Sequence, residues 1–388
     1  MRKKGMNIIV TTGGDIPSKF AHSFNVMKMA QGFYNLGNNV KVVVPLSFPL
    51  LIRKIKIKDI YSFYGIDKDI RIKYIPVLSL KTLKQSNDFT KFDLSVADYC
   101  KRQNVDLAYS RSYRIPYLCV KKGVPSIIET HTTNYGNSDL KKIYEVSDNP
   151  NFKGLVTISK DIKKEHIKRG ISEEKILVLE DGVDIERFDI NNDKYLWRKK
   201  LKLPANMNLV VYCGHLYEEK GIEHILLTAS KLSKKNVLFV LVGGFAKDIS
   251  RWKKLCKTKF ICNVSFKGFV NNLEIPRYLK AADVLIMPYN TTTDFNIMDI
   301  NTTSPMKLFE YMASKRPIVS TNIPTISKII EHNKSGLLAE ANNIEQLSSY
   351  VVELIEDSEK SKKLASKAFE DVKKYTWVNR CRKILKLI

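Results

Sequence analysis

Three stretches far apart in the chain are built alike. "MNIIVTTGG" (6–14), "NLVVYCGHL" (208–216) and "NVLFVLVGG" (236–244) are short apolar runs, rich in β-branched residues, that end at glycine. A strand without polar alternation must be covered on both faces, which requires a parallel sheet between layers of helix. In the first half the same pattern continues through "NVKVVVPL" (39–46), "RIKYIPV" (71–77), "DLAYSR" (106–111), "PSIIETH" (125–131), "GLVTISK" (154–160) and "KILVLEDGVD" (175–184). It restarts at residue 208 and continues through "VSFKGFV" (264–270), "DVLIMPY" (283–289) and "RPIVST" (316–321). Helical stretches fall between most of these runs. Residues 18–37 read as a helix capped by Ser18 and closed by Gly37.

Two series of strands imply two sheets. A chain of 388 residues suits two domains better than one. The expected fold is α/β, with two facing Rossmann-like, doubly wound domains and an interdomain cleft. The expected boundaries are 1–185, 186–375 and a terminal helix, 376–388, that packs back on the first domain. No run reaches the ~18–20 apolar residues of a membrane span, and Met6–Val10 is too short for a secretory leader. The chain is therefore expected in the cytoplasm. Its six cysteines form no CxxC pair and no spacing with histidine suited to a metal.

Open α/β sheets bind ligands beyond the carboxyl ends of their strands. The turns at Gly13-Gly14, Gly214–Gly221 and Gly243-Gly244 all leave strands there, where backbone N–H groups can meet phosphate; the plainer alternative is a set of tight turns. None contains GxGxxG or a Walker sequence, which disfavours a dinucleotide enzyme or a P-loop ATPase. "SPMKLFEYMASKRPIV" (304–319) reads as a helix start, with Ser304 as N-cap and Pro305 in the first position. Its apolar face would be Met306, Phe309, Met312 and Ala313, and Glu310 sits one turn in. A helix N-terminus binds anions.

The second half resembles the family 4 glycosyltransferases of GT-B fold. The likeness runs in order through "EDGVDIERF" (180–188), "YCGHLYEEKGIEHILLTASKL" (212–232), "FVLVGG" (239–244), "VSFKGFV", "AADVLIMPY" (281–289), "SPMKLFEYMASKRPIVST" (304–321) and "NKSGLLAE" (333–340). The first half matches more loosely over 17–45 and 156–184. The resemblance implies a donor nucleotide-sugar held mainly by the second domain and an acceptor held mainly by the first. Lys220 matches the basic residue at the donor diphosphate, where a fixed cation stabilises the leaving group without a metal. Ser304, Pro305, Met306, Lys307 and Leu308 match the phosphate-facing loop and helix start. Glu310 matches the carboxylate on the ribose hydroxyls, and Phe269 and Val270 match the backbone that reads the base. Gly13, Gly14, Gly214 and Gly243 are the expected close-approach glycines. His131, in "IIETHTTNYG" (127–136) at the carboxyl end of an apparent strand, matches the residue that contacts the donor sugar, with Glu129 on the same side of its strand. His131, Lys220 and Glu310 form the expected catalytic set. The resemblance also implies retention of anomeric configuration by front-side departure and attack, with no metal and no cofactor.

Two positions depart from the family pattern. Thr302 stands where a second glutamate is common, with Asp294 and Asp299 nearby as substitutes. His215 stands where arginine is common, a weaker phosphate ligand unless protonated.

The chain carries 65 basic and 40 acidic residues, for a net charge of +25, which favours an anionic partner. Residues 47–84 hold nine basic residues against three aspartates, interleaved with Leu, Ile, Phe and Tyr. Such a segment suits an anionic membrane surface, through Arg53, Lys54, Lys56 and Lys58 above all, and hence a lipid-linked or glycan acceptor. The alternative is a solvated helix and an edge strand. No recognition helix or stacking array for nucleic acid is evident. A sugar-nucleotide 2-epimerase of similar architecture and a non-catalytic binding subunit are the rival readings of the whole chain.

Overall fold

A computed structural model describes residues 5–46, 59–76, 89–131, 137–291 and 305–388. The chain divides into two compact units, Met1–Asp181 with Trp377–Ile388, and Gly182–Thr376.

The first unit is built on seven strands: β1 (Asn7–Thr11), β2 (Asn39–Leu46), β3 (Arg71–Pro76), β4 (Leu107–Ser110), β5 (Ser126–Thr130), β6 (Phe152–Thr157) and β7 (Ile176–Val178). Their order is β3-β2-β1-β4-β5-β6-β7, and every pair is parallel. The order reverses between β1 and β4, which opens a crevice at their carboxyl ends. Helix α1 (Ala21–Asn35) follows β1. It begins after Phe20, without a side-chain cap. Ser18 is instead held by Tyr64, whose hydroxyl oxygen accepts from the Ser18 N–H at 2.7 Å, and the Ser18 carbonyl accepts from Ser23. The Ser18 hydroxyl oxygen accepts from the Phe20 N–H at 3.2 Å, a local turn just ahead of the helix rather than its cap.

The second unit has six strands: β8 (Asn208–Cys213), β9 (Val237–Val242), β10 (Val264–Gly268), β11 (Val284–Met287), β12 (Ile318–Thr321) and β13 (Leu337–Ala339). Their order is β10-β9-β8-β11-β12-β13, again all parallel, with the reversal between β8 and β11. Strand β8 shows why its sequence is continuously apolar. Leu209, Val211 and Cys213 enter the core on one face of the sheet, and Val210 and Tyr212 enter the core on the other. Helix α2 (Ile222–Lys231) follows β8, and α3 (Met306–Ala313) precedes β12. The expected helix start at 304–305 is corrected by one residue: Pro305 is itself the N-cap, and Met306 is the first helical residue. The Pro305 carbonyl accepts from the Leu308 N–H at 2.8 Å.

The last helix, α4 (Trp377–Ile384), belongs to the first unit, where it packs on α1. Gly32 allows the approach, because a Cβ there would lie 2.9 Å from the Trp377 carbonyl oxygen. The buried positions of α4 are Trp377, Arg380, Cys381 and Ile384, one helical stripe that contains an arginine. No helix of the described residues is long and apolar enough to cross a membrane.

Candidate functional site

In the second unit the site grows from the end of β8. The chain turns at Gly214, passes His215 and Tyr217, and makes one 3-10 turn at Glu218–Lys220 before α2. That loop is tied to the end of β11, where the Asn290 N–H donates to the Glu219 carbonyl at 3.3 Å and the Lys220 ammonium lies 5.4 Å from the centre of the Tyr289 ring. The start of α3 is fastened to the same place. The Tyr311 hydroxyl accepts from the Cys213 N–H at 2.7 Å, and Lys307 Nζ donates to the Tyr212 hydroxyl at 2.7 Å. Lys307 Nζ also lies 2.9 Å from where a Cβ on Gly214 would stand, so the lysine reaches across the turn itself.

The electrostatics of this end are lopsided. Burial, and then the positive charge of Lys220, pushes the Lys307 ammonium well below the usual lysine range; Glu219 and Glu310 pull it back only in part. Two lysines on different elements are therefore held close enough to repel, beside the N-terminus of a helix. An anion there relieves the repulsion and meets the positive end of the helix dipole. Glu310 sits one turn behind, half-buried, and its charge is felt at Cys213.

Gly243 follows β9 at φ +113°. A Cβ there would stand 2.2 Å from the Gly214 carbonyl oxygen, so these two turns pack backbone to backbone. Gly243→Ala is expected to destabilise the protein by about 3 kcal/mol or more, read as a lower unfolding midpoint in denaturant; an unchanged midpoint would contradict this packing role. Phe269 and Val270 follow β10, and Val270 packs against the core. His215 is stacked with Tyr217, ring centres 4.9 Å apart and nearly parallel, and with Phe245 at 5.4 Å. Leu308 is a core side chain whose N–H is already used by Pro305. Met306 is half-buried at the helix start. Ser304, Thr302, Asp294 and Asp299 lie outside the described residues, as do Arg53, Lys54, Lys56 and Lys58.

In the first unit, Gly13 and Gly14 follow β1, with Gly14 against the His22 ring. His22 Nε2 is buried without a hydrogen-bond partner among the described residues, a position to which the sequence reading gave no role. His131 follows β5. Its Nε2 lies 2.5 Å from Glu129 Oε1, and its side chain keeps 19% of its surface exposed.

Beneath it Glu129 is fully enclosed. Its carboxylate accepts from Arg380 Nη1 at 2.9 Å, from Asn25 Nδ2 at 3.1 Å and from the Tyr109 hydroxyl. Arg380 also donates to the carbonyls of Glu180 at 3.0 Å and Leu179 at 3.3 Å. Asn25 donates to Asp181 at 2.8 Å. Burial alone would raise the Glu129 carboxyl; the Arg380 charge and the His131 hydrogen bond override it and hold it well below the usual range. Burial, then the charge of Arg111, lowers His131, against the opposing pull of Glu129. The net shift favours the neutral ring.

Glu129, His131 and Asp181 place one ligand atom each within 4.8 Å of one another, close enough for a metal. Yet the lone pairs of Glu129 already accept from Arg380, Asn25, Tyr109 and His131, and a cation would sit beside Arg380 and Arg111. The donor set fits a hydrogen-bonded ion pair better than a metal centre. Arg380, Asn25, Tyr109 and Asp181 were not singled out from sequence. A signal for Arg380 did exist, since it falls on the apolar stripe Trp377, Cys381, Ile384 of its own helix.

Comparison with known proteins gives a consistent picture. The family model for glycosyl transferases group 1 matches residues 193–371, and that for glycosyltransferase family 4 matches 25–187. An uncharacterized glycosyltransferase of Methanocaldococcus jannaschii is 24% identical over 270 residues, covering 66% of this chain and 67% of that protein. The amylovoran biosynthesis glycosyltransferase AmsK of Erwinia amylovora is 27% identical over 52% of this chain, but the match spans only 47% of its own length. Among solved structures, Anabaena HepE in complex with UDP superposes with a TM-score of 0.72 at 16% identity, covering 98% of this chain and 99% of that one. A glycosyltransferase from Rickettsia africae gives 0.72 at 20% identity, covering 98% and 97%.

Proposed function

The chain belongs to the family 4 glycosyltransferases of GT-B fold, and from that premise we propose that it moves a hexose-type sugar from a nucleoside-diphosphate sugar to a glycan or lipid-linked acceptor. The transfer retains anomeric configuration and uses no metal and no further cofactor. The observation that supports this reading is the fastening of the Gly214–Lys220 loop and the start of α3 to one end of the sheet, with Lys307 across the Gly214 turn and Lys220 over the Tyr289 ring. A donor diphosphate is the anion that this end receives. As the sugar departs, charge builds on the diphosphate, and preorganised cations and helix N–H groups stabilise it without reorganisation. Glu310 then accepts hydrogen bonds from the ribose hydroxyls one turn further along. A uridine donor is favoured, because HepE, a protein of the same fold, is known in complex with UDP and with UDP-glucose. Front-side attack suits a site that offers charge and position rather than a nucleophile.

The test is donor turnover. The purified protein should hydrolyse one nucleoside-diphosphate sugar slowly without acceptor, at a rate that excess chelator leaves unchanged. Interconversion of free sugar nucleotides would identify an epimerase instead, and no reaction with any donor would identify a binding subunit. Glu310→Ala should weaken nucleoside diphosphate binding by about 1.5–3 kcal/mol, the worth of hydrogen bonds to a charged acceptor. Unchanged affinity by calorimetry would remove the ribose role. The acceptor side follows from the basic segment 47–84: the protein should sediment with anionic vesicles at low salt and release at high salt, and indifference to such vesicles would remove the membrane surface from the reading.

A further inference from the structure

The sequence places His131 at the carboxyl end of a strand, but the ring atom it presents outward is decided by the residues packed behind it. Nε2 is 2.5 Å from Glu129 Oε1, so one of those two atoms must carry the proton between them. Glu129 has no proton to give. Its side chain is wholly enclosed, it pairs with Arg380 at 2.9 Å, and it receives further hydrogen bonds from Asn25 and Tyr109. Arg380 in turn is anchored by two backbone carbonyls and is only 4% exposed, so it cannot withdraw. An ionised carboxylate accepts only. The ring must donate from Nε2, and its remaining lone pair is on Nδ1.

We propose that Arg380 and Glu129 are positioning residues that lock His131 in its Nε2–H tautomer and so present Nδ1 as the acceptor for a substrate hydroxyl. The assignment of that hydroxyl to a sugar rests on the transferase reading above; the tautomer lock does not. The device crosses a large sequence distance, since Arg380 lies on α4 and its partner Glu129 lies 251 positions earlier. The docking of the last helix on α1 is therefore a requirement of the site as well as of the core. Among the described residues, the charged groups that act on the ring are Glu129 on its own strand, Arg111 after β4 and Asp181 after β7, with Arg380 on α4 acting through Glu129. Among the described residues, the contact with Glu129 is the one that fixes which ring nitrogen holds the proton.

The full-length protein with nitrogen-15 histidine reports the tautomer directly. It has six histidines, and His131 is assigned as the signal lost in His131→Asn. Between pH 7 and 8 the wild-type ring should show Nε2 protonated and Nδ1 bare. In Glu129→Gln the side-chain amide can turn either face to the ring, and the ratio of Nε2–H to Nδ1–H forms should fall at least tenfold. Arg380→Lys keeps the charge but not the paired geometry, and it should shift the same ratio in the same direction by a smaller factor. A wild-type ring protonated mainly at Nδ1, or a Glu129→Gln ring with an unchanged ratio, would overturn the lock. Activity gives the second readout. Glu129→Gln should lower kcat roughly tenfold or more while the affinity for nucleoside diphosphate stays within about twofold. The acid limb of its pH profile should move to lower pH, because the group that raises His131 is gone. A limb that stays in place with kcat unchanged would leave Glu129 a purely structural residue. Should the protein transfer no sugar at all, the tautomer ratio still decides the proposal.

Discussion

Lys220→Ala is expected to lower kcat by roughly two to three orders of magnitude while the protein remains folded. Removing one preorganised group that stabilises charge in a transition state costs about 2.7–4 kcal/mol. Lys220 sits on a single 3-10 turn between β8 and α2, half-buried, and contributes no side chain to either core of its unit. Its charge pushes Lys307 down, and its own contact is over the Tyr289 ring, so its loss removes a repulsion together with an attraction and the melting temperature should change little. Lys220→Arg keeps the charge and should retain more activity than alanine. An alanine variant within threefold of wild-type turnover would take the diphosphate away from this loop. The neighbouring Lys307 would then have to explain the site alone.

Arg380→Met destabilises the first unit by about 3–5 kcal/mol, the cost of leaving a buried charge without its partner. The native pair is nearly free of solvent, with side-chain exposures of 2% for Arg380 and 0% for Glu129. Methionine can fill part of the space between α4 and α1, but it leaves Glu129 enclosed and the carbonyls of Leu179 and Glu180 without their donors. Denaturant unfolding followed by a probe in the first unit reads the loss. The double variant Glu129→Gln with Arg380→Met should recover much of it, because the isolated charge is gone, and the cycle gives the coupling between the two sites. A single Arg380→Met variant that loses less than about 1 kcal/mol would mean that the pair is solvated and exchangeable. The same pair sets a pH window. The folded-state value of Glu129 lies well below its ordinary 4.5, so its contribution to stability is present above that value and fades only as the pH falls through the lower folded one.

The two parallel sheets were legible because their strands are buried on both sides. A run such as "NLVVYC" leaves no exposed face, and nothing but a helix-covered sheet accommodates it. Family membership was legible from motifs in order along the chain, and the same motifs raise the expectation of donor-site roles for Lys220 and Glu310. The helix start at 304–306 was legible to within one residue: proline suits both the cap and the first turn, and composition cannot choose between them. What the pattern hid was tertiary. Ser18 looks like a cap, but its hydroxyl closes a local turn on the Phe20 N–H while its backbone N–H is held by Tyr64. Leu308 looks like part of a phosphate loop and is a core residue. The support beneath His131 comes from four separate elements: α1 gives Asn25, β4 gives Tyr109, Asp181 follows β7, and α4 gives Arg380. No local period links them; only the arginine on an apolar stripe betrayed that something buried awaited it.

The central claim is that the second unit holds a nucleoside diphosphate between Lys220, Lys307 and Glu310. The most direct test is thermal unfolding with UDP, GDP, ADP, dTDP and CMP, with magnesium and with chelator, on the wild-type protein and on Lys220→Ala combined with Lys307→Ala. One nucleoside diphosphate should stabilise the wild type by about 2.7 kcal/mol at 100 times its dissociation constant, equally with and without metal, and the double variant should lose that gain at the same concentration. Stabilisation by none of the five, or an undiminished gain in the double variant, would contradict the account.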